Sequence, residues 1–227
     1  MSMAPIVRLE QVTKDYGKDG VLTRALRGID LVVDPGEFTA VVGPSGSGKS
    51  TMLNIIGGLD RPTAGLVEVA GRSLAGLSNT ELGILRRDRI GFIFQNYNLL
   101  PVLTAMENAE YVLMLRGMAP DERRARVLAM LQEVGLDGLE DRFPRQLSGG
   151  QQQRVAIARA IVGQPALVLA DEPTANVDSA TGQALLDLMQ RINEEKGVTF
   201  LFSTHDPAVM QRARRLLVLR DGLIARS

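Results

Sequence analysis

The sequence contains no cysteine, which excludes disulfides and thiolate metal sites without fixing the compartment. It has no excess of either charge: lysine plus arginine and aspartate plus glutamate number 26 each. A domain that held nucleic acid through its phosphates would carry a basic surplus, so no nucleic-acid partner is expected. No uncharged apolar run approaches the roughly 18–20 residues needed to span a bilayer. The opening Met1-Ser2-Met3-Ala4-Pro5-Ile6 lacks a charged segment followed by an apolar core, so it does not read as a secretory leader. Both absences point to the cytosol. Arginines gather locally, at Arg123, Arg124 and Arg126 and at Arg212, Arg214 and Arg215. These read as solvated helix faces.

What is present is ordinary for a globular chain: 227 residues, 45% of them hydrophobic and 23% charged. That length suits one large α/β domain with an inserted lobe. No internal repeat or low-complexity linker divides it. Short apolar runs alternate with helical patterns, which predicts a mainly parallel sheet flanked by helices. Ile6–Val12 and Leu26–Val33 read as strands of an N-terminal antiparallel region. Phe38–Val42, Arg89–Gln95, Ala166–Ala170 and Thr199–Ser203 read as further strands, the last two almost wholly apolar. Ser50–Ile56 reads as a helix. Met106–Leu115 and Asp121–Val134 also have helical spacing, the second with Pro120 in its first turn and Ala125, Leu128 and Leu131 on one face. Ser148 stands where an N-cap belongs, before Gln151–Val162. Arg220-Asp221-Gly222-Leu223 reads as a tight hairpin. The expected layout is a single domain, with a core at about 1–97 and 163–227 and a helical lobe at about 98–162.

Gly43-Pro44-Ser45-Gly46-Ser47-Gly48-Lys49-Ser50, followed by Thr51, matches the phosphate-binding loop pattern. The glycines let backbone N–H groups close around phosphate oxygens. The next helix presents its positive end to the same anion. Lys49 would reach the β- and γ-phosphates, and the Ser50 hydroxyl would bind Mg²⁺. An ordinary glycine-rich turn is the alternative, and the apolar strand before the loop argues against it. Ala166–Ala170 delivers an acidic pair, Asp171-Glu172: a hydrophobic strand ending in an acidic residue is the Walker B arrangement, with a turn or helix cap as the alternative, which the phosphate-binding loop argues against.

Between these lies Leu147-Ser148-Gly149-Gly150-Gln151-Gln152-Gln153-Arg154. With that element in place, the chain resembles the ATP-binding subunit of an ATP-binding-cassette (ABC) transporter over almost its whole length. The resemblance implies a P-loop NTPase core, ATP and Mg²⁺ as nucleotide and metal, and an ATPase activity. It implies that Asp171 holds Mg²⁺ through water, and that Glu172 is the general base toward the attacking water. His205, the only histidine, falls at the switch position that contacts the γ-phosphate. Gln95 matches the glutamine that touches Mg²⁺ or the water and links the site to a membrane subunit. Tyr16 occupies the position of the aromatic that stacks on adenine, with a core tyrosine as the alternative. Ser148, Gly149, Gly150 and Gln151 would close over the ATP of a second copy, with Asp178 at the same interface.

The implied partners are therefore a second copy of the chain and an integral membrane permease, which would hold the ATPase peripherally at the inner face of the membrane. Thr23–Gly28, Ser50–Thr63 and Arg89–Pro101 resemble the lipoprotein-releasing, macrolide-exporting and cell-division branch (the LolD, MacB and FtsE types). An importer subunit, for amino acids for example, and a soluble ABC ATPase outside transport stand as alternatives. Two departures stand out. Asp141–Gln146 is slightly short before the signature, and Ala175 and Val177 replace the usual glycine and leucine.

Overall fold

The computed structural model describes residues 4–18 and 21–225. The start of the segment read as lacking a leader, residues 1–3, lies outside them. The chain opens with β1 (Val7–Lys18) and β2 (Val21–Val33), an antiparallel pair as expected but longer than the apolar runs alone suggest. β3 (Phe38–Val42) is buried at every position and feeds α1 (Lys49–Ile56). β4 (Ala64–Val69) and β5 (Arg72–Ser73) complete a four-stranded sheet in the order β2-β1-β4-β5. Then come α2 (Asn79–Arg89) and β6 (Ile90–Ile93). The predicted strand at Arg89 therefore starts one residue late, because Arg89 closes the helix.

Three α-helices and a short 3-10 helix (Pro144–Gln146) stand between β6 and the next strand: α3 (Ala105–Leu115), α4 (Pro120–Glu133) and α5 (Gly149–Ile161). β7 (Leu167–Asp171), α6 (Ser179–Lys196), β8 (Thr199–Thr204), α7 (Pro207–Arg212), β9 (Arg215–Arg220) and β10 (Leu223–Ile224) finish the chain. The second sheet runs β10-β9-β3-β8-β7-β6 and is parallel except for the β9–β10 hairpin. This is the α/β architecture expected. The hairpin turn is built by Asp221 (φ 48°) and Gly222 (φ 75°), the paired positive angles that close a two-residue turn without splaying the strands.

Apolar strands buried on both faces explain the parallel order. One cluster, including Phe38, Phe200 and Phe202, joins the sheet to α3–α6; another, including Met52, Ile55 and Leu169, joins it to the N-terminal strands. The Phe38 and Phe202 rings meet at 4.6 Å. The predicted face of α4 needs correction. Ala125 is exposed and Leu128 half-buried, while Val127, Met130 and Leu131 face the core. Val127, Met130, Leu131 and Val134 form an i, i+3, i+4, i+7 stripe, which keeps Leu131 of the expected face, leaves Leu128 at its edge and turns Ala125 outward. Of the arginines expected on solvated helix faces, Arg212 lies on α7 and pairs with Asp187, but Arg214 follows the helix and pairs with Glu194, Arg215 stands on β9, and Arg123 is half-buried against Glu110. The exposed pairs contribute little to stability.

Candidate functional site

Gly48 caps α1 at φ 106°, and a Cβ there would lie 2.6 Å from the Ala25 carbonyl oxygen. Only glycine brings the loop this close to β2 and still turns it into the helix. The Lys49 ammonium is buried and donates to the carbonyls of Gly43 (2.8 Å) and Pro44 (3.1 Å), so it spans the mouth of its own loop. A cavity of about 720 Å³ opens here. Gly43, Pro44, Ser45, Gly46, Gly48, Lys49, Ser50 and Thr51 line one side, and Gln95, Glu172 and His205 the other. Ser47 instead turns inward and is buried.

Parallel pairing sets the depth of each group. β7 and β8 lie in register from Leu167↔Thr199 to Asp171↔Ser203, so the acidic pair and the histidine leave the sheet at the same edge. Asp171 faces Ser50, whose hydroxyl donates to Oδ1 at 3.1 Å. Glu172 adopts φ 47°, a conformation costly for a side-chain-bearing residue and common at working sites. Its N–H donates to the Ser203 carbonyl. Its carboxylate is largely enclosed. Oε2 accepts from the Thr204 hydroxyl (3.2 Å) and the His205 N–H (3.4 Å), while Oε1 sits 2.7 Å from His205 Nδ1. The His205 ring remains mostly exposed. Thr204 was not foreseen; only its place beside the lone histidine hinted at it.

Tyr16 lies beyond the residues that line this cavity. Its hydroxyl donates to Asp60 Oδ2 at 2.7 Å, and the Lys14 ammonium sits 4.7 Å from its ring centre. Lys14 also donates to Asp60 Oδ1 at 2.6 Å. Burial and the Asp60 contact raise the Tyr16 phenol above its ordinary value, with the Thr51 hydroxyl opposing them. For Asp60, burial favours the neutral acid, but hydrogen bonds from Lys14, Tyr16 and the Arg61 N–H together outweigh it and hold the carboxyl below its usual range. A carboxyl depressed in the folded state adds stability above its unfolded value of about 3.9, and that stability is lost as pH falls through the folded value. Asp60→Asn should therefore flatten the fall in melting temperature between about pH 5 and pH 3. An unchanged slope in thermal scans would contradict the contact's role.

The signature segment sits apart from this cavity. Ser148 caps α5 in a reciprocal box: its hydroxyl accepts from the Gln151 N–H, and its own N–H donates to Gln151 Oε1 at 2.8 Å. Gly149 and Gly150 form the first turn. Asp178 caps α6, accepting from the Thr181 N–H and hydroxyl, and these bonds hold its carboxyl below the ordinary value. The structure thus gathers Lys49, Ser50, Gln95, Asp171, Glu172 and His205 in one place. It leaves Ser148, Gly149, Gly150, Gln151 and Asp178 on other loops, and Tyr16 at the margin.

The ABC transporter family profile matches residues 26–175. The chain belongs to the ABC transporter family. It is 49% identical to a lipoprotein-releasing system ATP-binding protein, LolD, of Anaeromyxobacter dehalogenans, the match covering 97% of this chain and 92% of that one. It is 48% identical to a macrolide export ATP-binding/permease protein, MacB, of Syntrophobacter fumaroxidans, where the match covers 96% of this chain but only 31% of the relative. The chain therefore spans about a third of the length of the macrolide-export relatives it matches. A solved dimeric ATP-binding cassette from Methanocaldococcus jannaschii, in a post-hydrolysis state with ADP and Pi, superposes with a TM-score of 0.91 at 46% identity and 97% coverage of both chains. The branch suggested by the sequence motifs is thus the one to which these relatives belong.

Proposed function

We propose that the chain is the ATP-hydrolysing subunit of an exporter-type ABC assembly, closing as a homodimer around two ATP to drive a permease of the lipoprotein-releasing or macrolide-exporting kind. The observation that carries this reading is the convergence of Lys49, Ser50, Glu172 and His205 on one glycine-walled cavity, with Asp171 bonded to Ser50 beside it. Lys49 binds the β- and γ-phosphates, and the loop N–H groups cradle them. The paired oxygens of Ser50 and Asp171 suit a hard cation that takes most of its other ligands from phosphate and water. Mg²⁺ bound there would neutralise charge developing on the phosphates. Glu172 accepts the proton of the attacking water, while Thr204 and His205 hold its carboxylate. Gln95 positions that water, and His205 offers Nε2 to the γ-phosphate. Tyr16, exposed at the margin of the site, supports adenine.

Ser148, Gly149, Gly150, Gln151 and Asp178 serve the nucleotide of the opposite copy. Their placement away from their own cavity, at capped helix starts, supports that division. The permease seat is a cleft of about 370 Å³ lined by Leu59, Phe92, Phe94, Tyr111, Leu115 and Arg116. It adjoins the loop that carries Gln95, and the macrolide-export relatives are ATP-binding/permease proteins. Attachment to the inner membrane face through that partner is part of the same reading; among the described residues no helix is long and apolar enough to cross a membrane.

The reading is tested by steady-state ATP hydrolysis against protein concentration. The rate per chain should rise with concentration, because each working site needs two chains, and should vanish on chelation of Mg²⁺. A rate per chain that is flat across concentrations, or indifferent to chelator, would overturn it.

A further inference from the structure

The loop after β6 and the loop after β7 are tied together by side chains that the hydrolytic chemistry does not use. Asn176 Nδ2 donates to the Gln95 carbonyl (2.8 Å) and to Asn96 Oδ1 (3.2 Å). The Tyr97 hydroxyl donates to the Asn176 carbonyl at 3.0 Å. Asn176 is therefore gripped through both its side chain and its backbone. Burial raises the Tyr97 phenol, which keeps it a donor.

The grip is built on a strained base. Tyr97 (φ 59°) and Asn98 (φ 49°) are consecutive left-handed residues without being glycine. The Arg159 guanidinium, reaching from α5, holds that base by donating to the carbonyls of Tyr97 (2.8 Å) and Asn98 (2.6 Å). The Tyr97 hydroxyl also lies against the start of α5. A Cβ at Gly149 would be 2.9 Å from it and 3.4 Å from the Asn176 carbonyl oxygen. One tyrosine thus bears on three segments: the loop of Gln95, the loop between Glu172 and Asp178, and the helix start at Ser148.

We propose that Asn176 and Tyr97 are positioning residues that set the partner-facing surface, Ser148, Gly149 and Asp178, by the position of Gln95. This rests on the sandwich dimer proposed above. A displacement of Gln95 must either carry Asn176 with it or break two hydrogen bonds. A displacement of Asn176 must either break its bond from the Tyr97 hydroxyl or shift that hydroxyl across Gly149, where a Cβ would come within 2.9 Å of it. Nucleotide sensing at Gln95 and closure on the opposite copy become one motion through packed, bonded contacts rather than through a mobile loop.

The test uses the full chain carrying Glu172→Gln, with Mg-ATP, and reads the dimer dissociation constant by sedimentation. Asn176→Asp keeps the shape but removes the donor and sets a carboxylate against the Gln95 carbonyl. It should weaken dimerisation about tenfold. Affinity of the monomer for a fluorescent ATP analogue should stay within about twofold, and the melting temperature should hold. Tyr97→Phe, which removes a hydroxyl on the inner side of the loop, should weaken dimerisation about threefold to fivefold. The double variant should be no weaker than Asn176→Asp alone, because both break one strut. Merely structural residues would shift the melting temperature and multiply their effects. Dimerisation indifferent to Asn176→Asp, or multiplied effects in the double variant, overturns the inference. A Glu172→Gln chain that stays monomeric with ATP removes the sandwich reading and this inference with it.

Discussion

Glu172→Gln should lower ATP turnover about a thousandfold while leaving ATP affinity within about twofold of the parent. The amide has the shape of the carboxylate but cannot take a proton from water, and general-base catalysis contributes about 10²–10⁴ in rate. A thousandfold loss corresponds to about 4 kcal/mol of transition-state stabilisation. The local geometry tolerates the change. The amide oxygen can still accept from the Thr204 hydroxyl and the His205 N–H, and the amide nitrogen can donate to His205 Nδ1 in its acceptor tautomer. The left-handed backbone at residue 172 does not depend on the charge, since the N–H bonds the Ser203 carbonyl. A single-turnover assay separates the chemical step from nucleotide binding. Turnover at the parental rate would take the base role away from Glu172.

Ser148→Arg should abolish hydrolysis without disturbing ATP binding by the isolated chain. Ser148 lies on a different loop from the cavity that holds Lys49 and Glu172, so its loss leaves that cavity intact. A bulky side chain at the start of α5 would instead obstruct the nucleotide of the opposite copy and remove a hydroxyl from it. Removing the cap also costs about 0.5–2 kcal/mol of stability. The melting temperature must therefore be measured beside the activity, and a fall of a few degrees is expected. Turnover at the parental rate would show that the signature does not meet ATP.

Much of this site could be read in the sequence because its chemistry is local. The glycine spacing before Lys49, the acidic pair after an apolar strand and the cap at Ser148 each express a rule that operates within a few residues. Strands such as Phe38–Val42 and Thr199–Ser203 stand out because burial on both faces leaves no polar alternation. The face of α4 failed for the opposite reason. Alanine satisfies a helical period without committing to either side, so Ala125 drew the stripe away from Val127 and Met130. α2 carried a legible box, Ser78 with Glu81, but few apolar residues to announce it. The contacts that tune the site were not legible at all. Tyr16 meets Asp60 across 44 residues, and Asn176 meets Gln95 across 81. Only the tertiary fold brings those partners together, and neither asparagine nor aspartate advertises such a role by its neighbours.

The most direct test of the central claim is the mass of the Glu172→Gln chain in solution, with and without Mg-ATP. A 24.6 kDa monomer should become a dimer that retains two ATP. Adding Ser148→Arg to the same chain should return it to a monomer with one ATP bound. A chain that binds ATP yet stays monomeric, or a dimer that forms regardless of residue 148, would contradict the shared-site account.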